Sequence, residues 1–135
     1  MKLLIIHGPN MNLLGSFSNN RLTLDKLNKL IRKFAHQNNV DVKIYQTHDE
    51  AKYVSILHRN RNKIDGMILN LGPWNADSNI IHQTLSIIKK PYRIAENSKQ
   101  SAEYINNTIF DKKYIIQNEN IEESYIESLN QLTKS

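Results

Sequence analysis

Two side chains able to hold or release a proton near neutral pH stand just after apolar, β-rich runs. His7 follows Leu3 to Ile6, and Glu96 follows Pro91 to Ile94. If both leave strand ends near one another, an imidazole and a carboxyl are placed to exchange a proton. Amides and small polar groups gather at the same kind of position: Asn10 and Asn12 beyond the first run, Asn70 and Gly72 beyond Gly66 to Leu69, and Ser98 beyond the run ending at Ile94. A histidine in such a place is more often simply hydrogen-bonded than reactive. His7, His48, Asp77 and Glu96 are also metal-ligand types, yet no pair has the helix-face or hairpin spacing that fixes an ion, so no metal is expected. Cysteine is absent, which excludes disulfides, thiolate metal sites and thiol nucleophiles. Gly8 and Gly15 are too far apart for a phosphate or dinucleotide loop, so no nucleotide cofactor is implied.

Positioning these residues requires elements, and the periodicity supplies them. Apolar runs at Leu3 to Ile6, Val40 to Tyr45, Gly66 to Leu69, Pro91 to Ile94 and Tyr114 to Ile116 read as strands buried on both faces. Helical spacing lies between them, in Leu24, Leu27, Ile31 and Phe34, then Tyr53, Val54 and Leu57, then Ile80, Ile81, Thr84, Leu85 and Ile88. A last stripe runs through Ile121, Tyr125, Leu129 and Leu132, with Glu122 and Glu123 in a first turn where they favour the helix dipole. Helix starts are expected at Thr23, at a Thr47/Glu50 capping box and at Asp77-Ser78. This alternation predicts an α/β fold, flavodoxin-like, with a five-stranded parallel sheet and helices on both faces. One domain spanning residues 1–135 is expected, with no linker and no internal repeat. Ligands of such sheets bind beyond the carboxyl ends of the strands, which is where the polar residues above fall.

The 135 residues carry a net charge of +5, with 39% hydrophobic and 23% charged side chains. The basic runs Arg59 to Lys63 and Lys89-Lys90 fit solvated helix ends better than a nucleic-acid groove, because no aromatic residues are interleaved with them. Neither nucleic acid nor membrane is therefore an expected partner. No apolar run approaches the roughly 18 residues of a membrane span, and the first residues are too short and polar-ended for a signal peptide, so a cytoplasmic protein is expected. Trp74, after Gly72-Pro73, reads as a packing residue, and His36, His58 and His82 as solvated ones.

The run Gly8-Pro9-Asn10-Met11-Asn12-Leu13-Leu14-Gly15 resembles the opening loop of type II dehydroquinases. Thr23-Leu24 is similar to the start of that family's first helix, Gln46-Thr47-His48-Asp49-Glu50 to its glutamine-serine-asparagine-x-glutamate turn, and Asn70-Leu71-Gly72 to its asparagine-proline-glycine turn. Lys90-Pro91 matches the lysine-proline ahead of its fourth strand. The resemblance implies the flavodoxin-like fold, no cofactor, and assembly as trimers or dodecamers. It also implies dehydration of 3-dehydroquinate through an enolate. A lid tyrosine assisted by an arginine removes the proton, a histidine helps water leave, and further arginines, a histidine and amides hold the substrate.

Carried over by resemblance, Asn10 falls near the reacting centre, Asn70 is the substrate-binding amide, and Ser98 is the serine after the fourth strand. The proton-handling set differs. The shorter lid, Ser16 to Leu22, has no tyrosine, and Phe17 stands for its arginine. Ala76 stands for the substrate-binding histidine, Glu96 for the general-acid histidine, and Glu103 and Asn107 for later arginines. Arg21 is the remaining lid cation, able to bind but not to act as a base. Two expectations follow. In the first, the site serves altered small-molecule chemistry, with Asn10, His7 and Glu96 as reacting groups. A small carboxylic or polyhydroxylated acid would be held by Asn70, Gly72, Ser98, Arg21 and Asn12. In the second, the chain is an inactive scaffold for binding or assembly.

Overall fold

A computed structural model describes residues 1–134 of the chain. Its strands are β1 (Lys2–His7), β2 (Asp41–Gln46), β3 (Gly66–Leu69), β4 (Tyr92–Asn97) and β5 (Ile115–Asn118). Its α-helices are α1 (Leu24–Gln37), α2 (Glu50–Asn60), α3 (Trp74–Asp77), α4 (Asn79–Ile88), α5 (Ala102–Asn106) and α6 (Ile121–Thr133), and 3-10 turns lie at Met11–Ser16 and Lys112–Tyr114. All strands pair in parallel in the order β2-β1-β3-β4-β5, the doubly wound arrangement anticipated from the alternation.

Strand alternation divides the core in two. Leu3, Ile5, Ile68 and Ala95 point to one face, where Leu27, Ile31 and Ala35 of α1 meet Tyr125, Leu129 and Leu132 of α6. Leu4, Ile6, Met67, Leu69 and Ile94 point to the other, against Tyr53, Ile56 and Leu57 of α2 and Ile81 and Leu85 of α4. A central strand with both faces covered needs successive apolar side chains, and Leu3 to Ile6 of β1 and Met67 to Leu69 of β3 supply them.

Local signals fix most helix starts. The Thr23 hydroxyl accepts from Lys26 N (3.3 Å) and the Ser78 hydroxyl from Ile81 N (3.3 Å). The expected Thr47/Glu50 box is corrected: α2 begins at Glu50 and its cap is Asp49, which accepts from Lys52 N. Thr47 Oγ1 accepts instead from Asp49 N, two residues on, closing a turn that leaves it outside the helix. Both basic runs fall at helix C-termini, and Lys89 takes a left-handed conformation (φ 57°) with its N–H on Leu85 O. Among the described residues no helix is long and apolar enough to cross a membrane.

Two buried polar contacts tie the layers to the ends of the strands. His7, fully buried, has Nε2 2.7 Å from Asn28 Oδ1 of α1 and Nδ1 2.7 Å from the Tyr125 hydroxyl of α6. Because Asn28 Oδ1 only accepts, Nε2 carries the proton and Nδ1 accepts from the tyrosine. Burial holds the imidazole neutral, lowering its pKa from 6.5 to about 4 against the pull of Asn28. On the other face the Tyr53 hydroxyl donates to the carbonyls of Ile6 (3.1 Å) and Asn70 (3.0 Å).

Tyr53→Phe is expected to destabilise the protein by about 1–3 kcal/mol, because it leaves the Asn70 carbonyl buried without a donor; urea unfolding of the two proteins measures this. For His7, the unfolded chain binds more protons than the folded one between its ordinary 6.5 and about 4. Its contribution is present above 6.5 and is lost as pH falls through about 4, on the order of 3 kcal/mol in all. The difference in unfolding free energy between the native protein and His7→Asn should therefore shrink on acidification across that window. A difference constant with pH would refute the neutral buried imidazole.

Candidate active site

The carboxyl ends of β1, β3 and β4 frame a cleft of about 390 Å³. One wall is the loop after β1. Gly8 N donates to Asn70 Oδ1 (3.2 Å), and a Cβ at position 8 would stand 2.4 Å from the Asn70 carbonyl oxygen, so only glycine allows this approach. Asn10 follows in a left-handed conformation (φ 68°), is exposed, and makes no capping bond with its side chain. The 3-10 turn beyond it contributes Met11, Leu13 and Ser16, and Phe17 continues the wall.

The floor is built around Glu96, at the end of β4 and 2% exposed. Its Oε2 accepts from Leu71 N (2.9 Å), Gly72 N (3.2 Å) and Asn75 Nδ2 (2.8 Å), and its Oε1 from Asn70 Nδ2 (3.0 Å). The turn that presents these donors needs Gly72 at φ 53°, a conformation glycine adopts freely. Burial pushes the carboxyl pKa up to about 7, against the N–H groups of Leu71, Asn75 and Gly72, which favour the ionised form.

The far wall comes from the turn after β4 and from α5. Asn97 accepts from Lys99 N and Gln100 N and donates to Glu119 O, while Ser101 donates to Asn97 O. Gln100, Ser101 and the half-buried Tyr104 face the cleft, closed at its edge by Ile121. The short lid is pinned across the top of the sheet: Asn19 donates to Glu119 O and Asn20 to Glu122.

Of the residues singled out in the sequence, Asn10, Asn70, Gly72 and Glu96 line this one cleft. His7, Asn12, Arg21 and Ser98 are not part of its lining; Arg21 is exposed on the lid at φ 57°, and Ser98 joins the sheet edge through its N–H to Asn118 O. The structure does not bring His7 and Glu96 together. His7 shares the side of Leu3 and Ile5, toward α1 and α6, whereas Glu96 shares the side of Ile94, toward α2 and α4, and both ring nitrogens of His7 are engaged elsewhere. An imidazole and a phenol do meet, in His7 and Tyr125, but both are buried and lie outside the cleft lining. Trp74 packs edge-on against Tyr53 (5.2 Å between centroids), as its packing role predicts. Among the described residues no cluster of three or more His, Asp or Glu is placed to hold a metal ion.

Sequence reasoning missed Tyr104, Gln100 and Ser101, which sit on or beside a five-residue helix too short to show periodicity. It also missed Asn75, whose only available signal was its position three residues beyond Gly72.

The Dehydroquinase class II family model matches residues 1–94. The chain is 36% identical over 94 residues to the 3-dehydroquinate dehydratase of Thermotoga neapolitana, covering 67% of this chain and 63% of that protein. It is 31% identical to that of Carboxydothermus hydrogenoformans, over 67% and 61%. The matched segment thus spans less than two thirds of these relatives. The fold extends further: the type II dehydroquinase from Butyrivibrio crossotus superposes with a TM-score of 0.87 at 21% identity over 99% of this chain and 98% of that one. The enzyme from Propionibacterium acnes gives 0.81 at 18% identity. Sequence and architecture together make this chain a member of the class II dehydroquinase family.

Proposed function

We propose that the cleft binds a small polyhydroxylated molecule, and that the chain carries altered small-molecule chemistry in place of efficient dehydration of 3-dehydroquinate. The observation that carries this is the charge of the lining: it contains no lysine, arginine or histidine, and its carboxyl group is Glu96. A carboxylate substrate would meet no cation there, and it would face a group that is negative whenever ionised. The amides and hydroxyls of Asn10, Ser16, Gln100 and Tyr104 instead suit neutral hydroxyl groups, each of which donates and accepts.

Proton handling is correspondingly reduced. Dehydration by the family route needs one group to remove a proton and another to assist the leaving water. The carboxyl group in this lining is Glu96, held by four N–H donors, and the lining holds no imidazole or amine. Loss of one acid or base costs about 10²–10⁴ in rate. The family sequence match ends at Ile94, just short of Glu96, so the wall formed by Asn97 to Tyr104 lies outside the matched segment. Bound ligand remains the favoured role over a bare scaffold, because the cleft retains convergent polar atoms that packing alone does not require.

Purified protein should turn over 3-dehydroquinate at least about 10³-fold more slowly than a type II dehydroquinase assayed beside it. In a thermal-shift panel, neutral polyols should raise the melting temperature while their carboxylated counterparts do not. Ordinary dehydratase turnover would overturn the first expectation, and stabilisation confined to the acids would overturn the second.

A further inference from the structure

The residues that donate to Glu96 are also held by bonds to other groups. Asn70 is fixed by Gly8 N on its Oδ1 (3.2 Å), by its own Nδ2 on Ala95 O (3.0 Å) and by the Tyr53 hydroxyl on its carbonyl (3.0 Å). Asn75 is fixed by its Nδ2 on Gly72 O (2.9 Å), and its carbonyl accepts from Ile109 N and the Thr108 hydroxyl. The turn between them is closed by Trp74 N on Leu71 O and Asn75 N on Gly72 O. Two backbone and two side-chain N–H groups therefore converge from a rigid frame onto one spot, and the chain's own carboxylate is the anion seated there. That spot is continuous with the cleft, since Glu96, Asn70 and Gly72 all line it.

A set of convergent N–H donors without a neighbouring cation is the chemistry of a carboxylate cradle, comparable to an oxyanion site. Left empty it would be costly, because each buried donor would lack a partner. We propose that Glu96 is a built-in plug: it occupies an anion cradle opening into the cleft and thereby sets the charge of the ligand the cleft accepts. With the plug in place the cradle is satisfied and a ligand carboxylate is turned away. With the side chain truncated, the same four donors would receive a small carboxylate from solution. This deepens the reading of the cleft as a site for neutral ligands and makes Glu96 its specificity-determining residue.

The test uses Glu96→Ala with formate as the probe, and chloride at equal ionic strength as the control. Glu96→Ala should melt below the native protein and should be stabilised by formate in a saturable way, by about 5–10 °C at a hundredfold excess over the dissociation constant. The native protein should not respond. Adding Asn75→Ala to Glu96→Ala should weaken formate binding by about tenfold or more, since a hydrogen bond to a charged group is removed. A folded Glu96→Ala protein that responds no more to formate than to chloride overturns the proposal. If that variant does not fold in plain buffer, refolding it by dialysis gives the same discrimination. Recovery of helical circular dichroism in formate but not in chloride supports the cradle, and recovery in neither refutes it. A native protein that binds no polyol would sink the neutral-ligand reading while leaving the formate response intact, so the two failures are distinguishable.

Discussion

A carboxylate taken out of water must be matched by donors or it will not remain charged. The C-terminal edge of this sheet is organised around that requirement at Glu96. The four N–H groups that meet it come from the turn after β3 and the start of α3, and they hold that turn against the end of β4. The same turn accepts the close approach of Gly8 through Asn70, which brings the β1 loop to the opposite wall. Three strand ends are thus fixed to one another by a polar network rather than by the apolar layers beneath them. The cleft exists because that network holds its walls apart at defined positions.

The apolar layers explain why the fold was legible. β1 and β3 are apolar at successive positions, and α1, α2, α4 and α6 each carry a stripe at helical spacing, so residue type alone named nearly every element. Short elements left no such trace. α5 has Ile105 as its one buried residue and α3 has Asn75, so hydrophobic patterning could not announce either. The Thr47 cap failed for a related reason: several polar residues in succession offer competing turns, and Thr47 closes one on Asp49 N before the helix begins.

The site was legible only as far as strand ends. Asn10, Asn70, Gly72 and Glu96 were found because residues leaving parallel strands face the ligand end of the sheet. His7 satisfied the same rule yet points into the core, because a strand's last residue still obeys the alternation of the strand. Position 7 has the parity of Leu3 and Ile5, and Tyr125 and Asn28 receive it there. The second half of the lining, from Asn97 to Tyr104, depends on how the β4–α5 turn is folded, and a single sequence does not disclose that geometry.

The division between fold and site also explains how chains of low identity share one architecture. Identity to the structural relatives is 21% or less across an arrangement that superposes at a TM-score of 0.81–0.87. The two cores need only apolar volume at alternating positions, which many residues supply. The walls of the cleft are held by backbone and amide hydrogen bonds in which the exposed lining residues take little part. Asn10 makes no capping bond, and Tyr104 is only half buried, so either can change without disturbing a strand. Glu96 differs from them in belonging to both systems: it lines the cleft and satisfies the donors that join β3 to β4. The charge of the lining and the integrity of the site are therefore coupled through one residue. Asn70 belongs to both systems in the same way, whereas a change at Asn10 or Tyr104 leaves the joined strand ends in place.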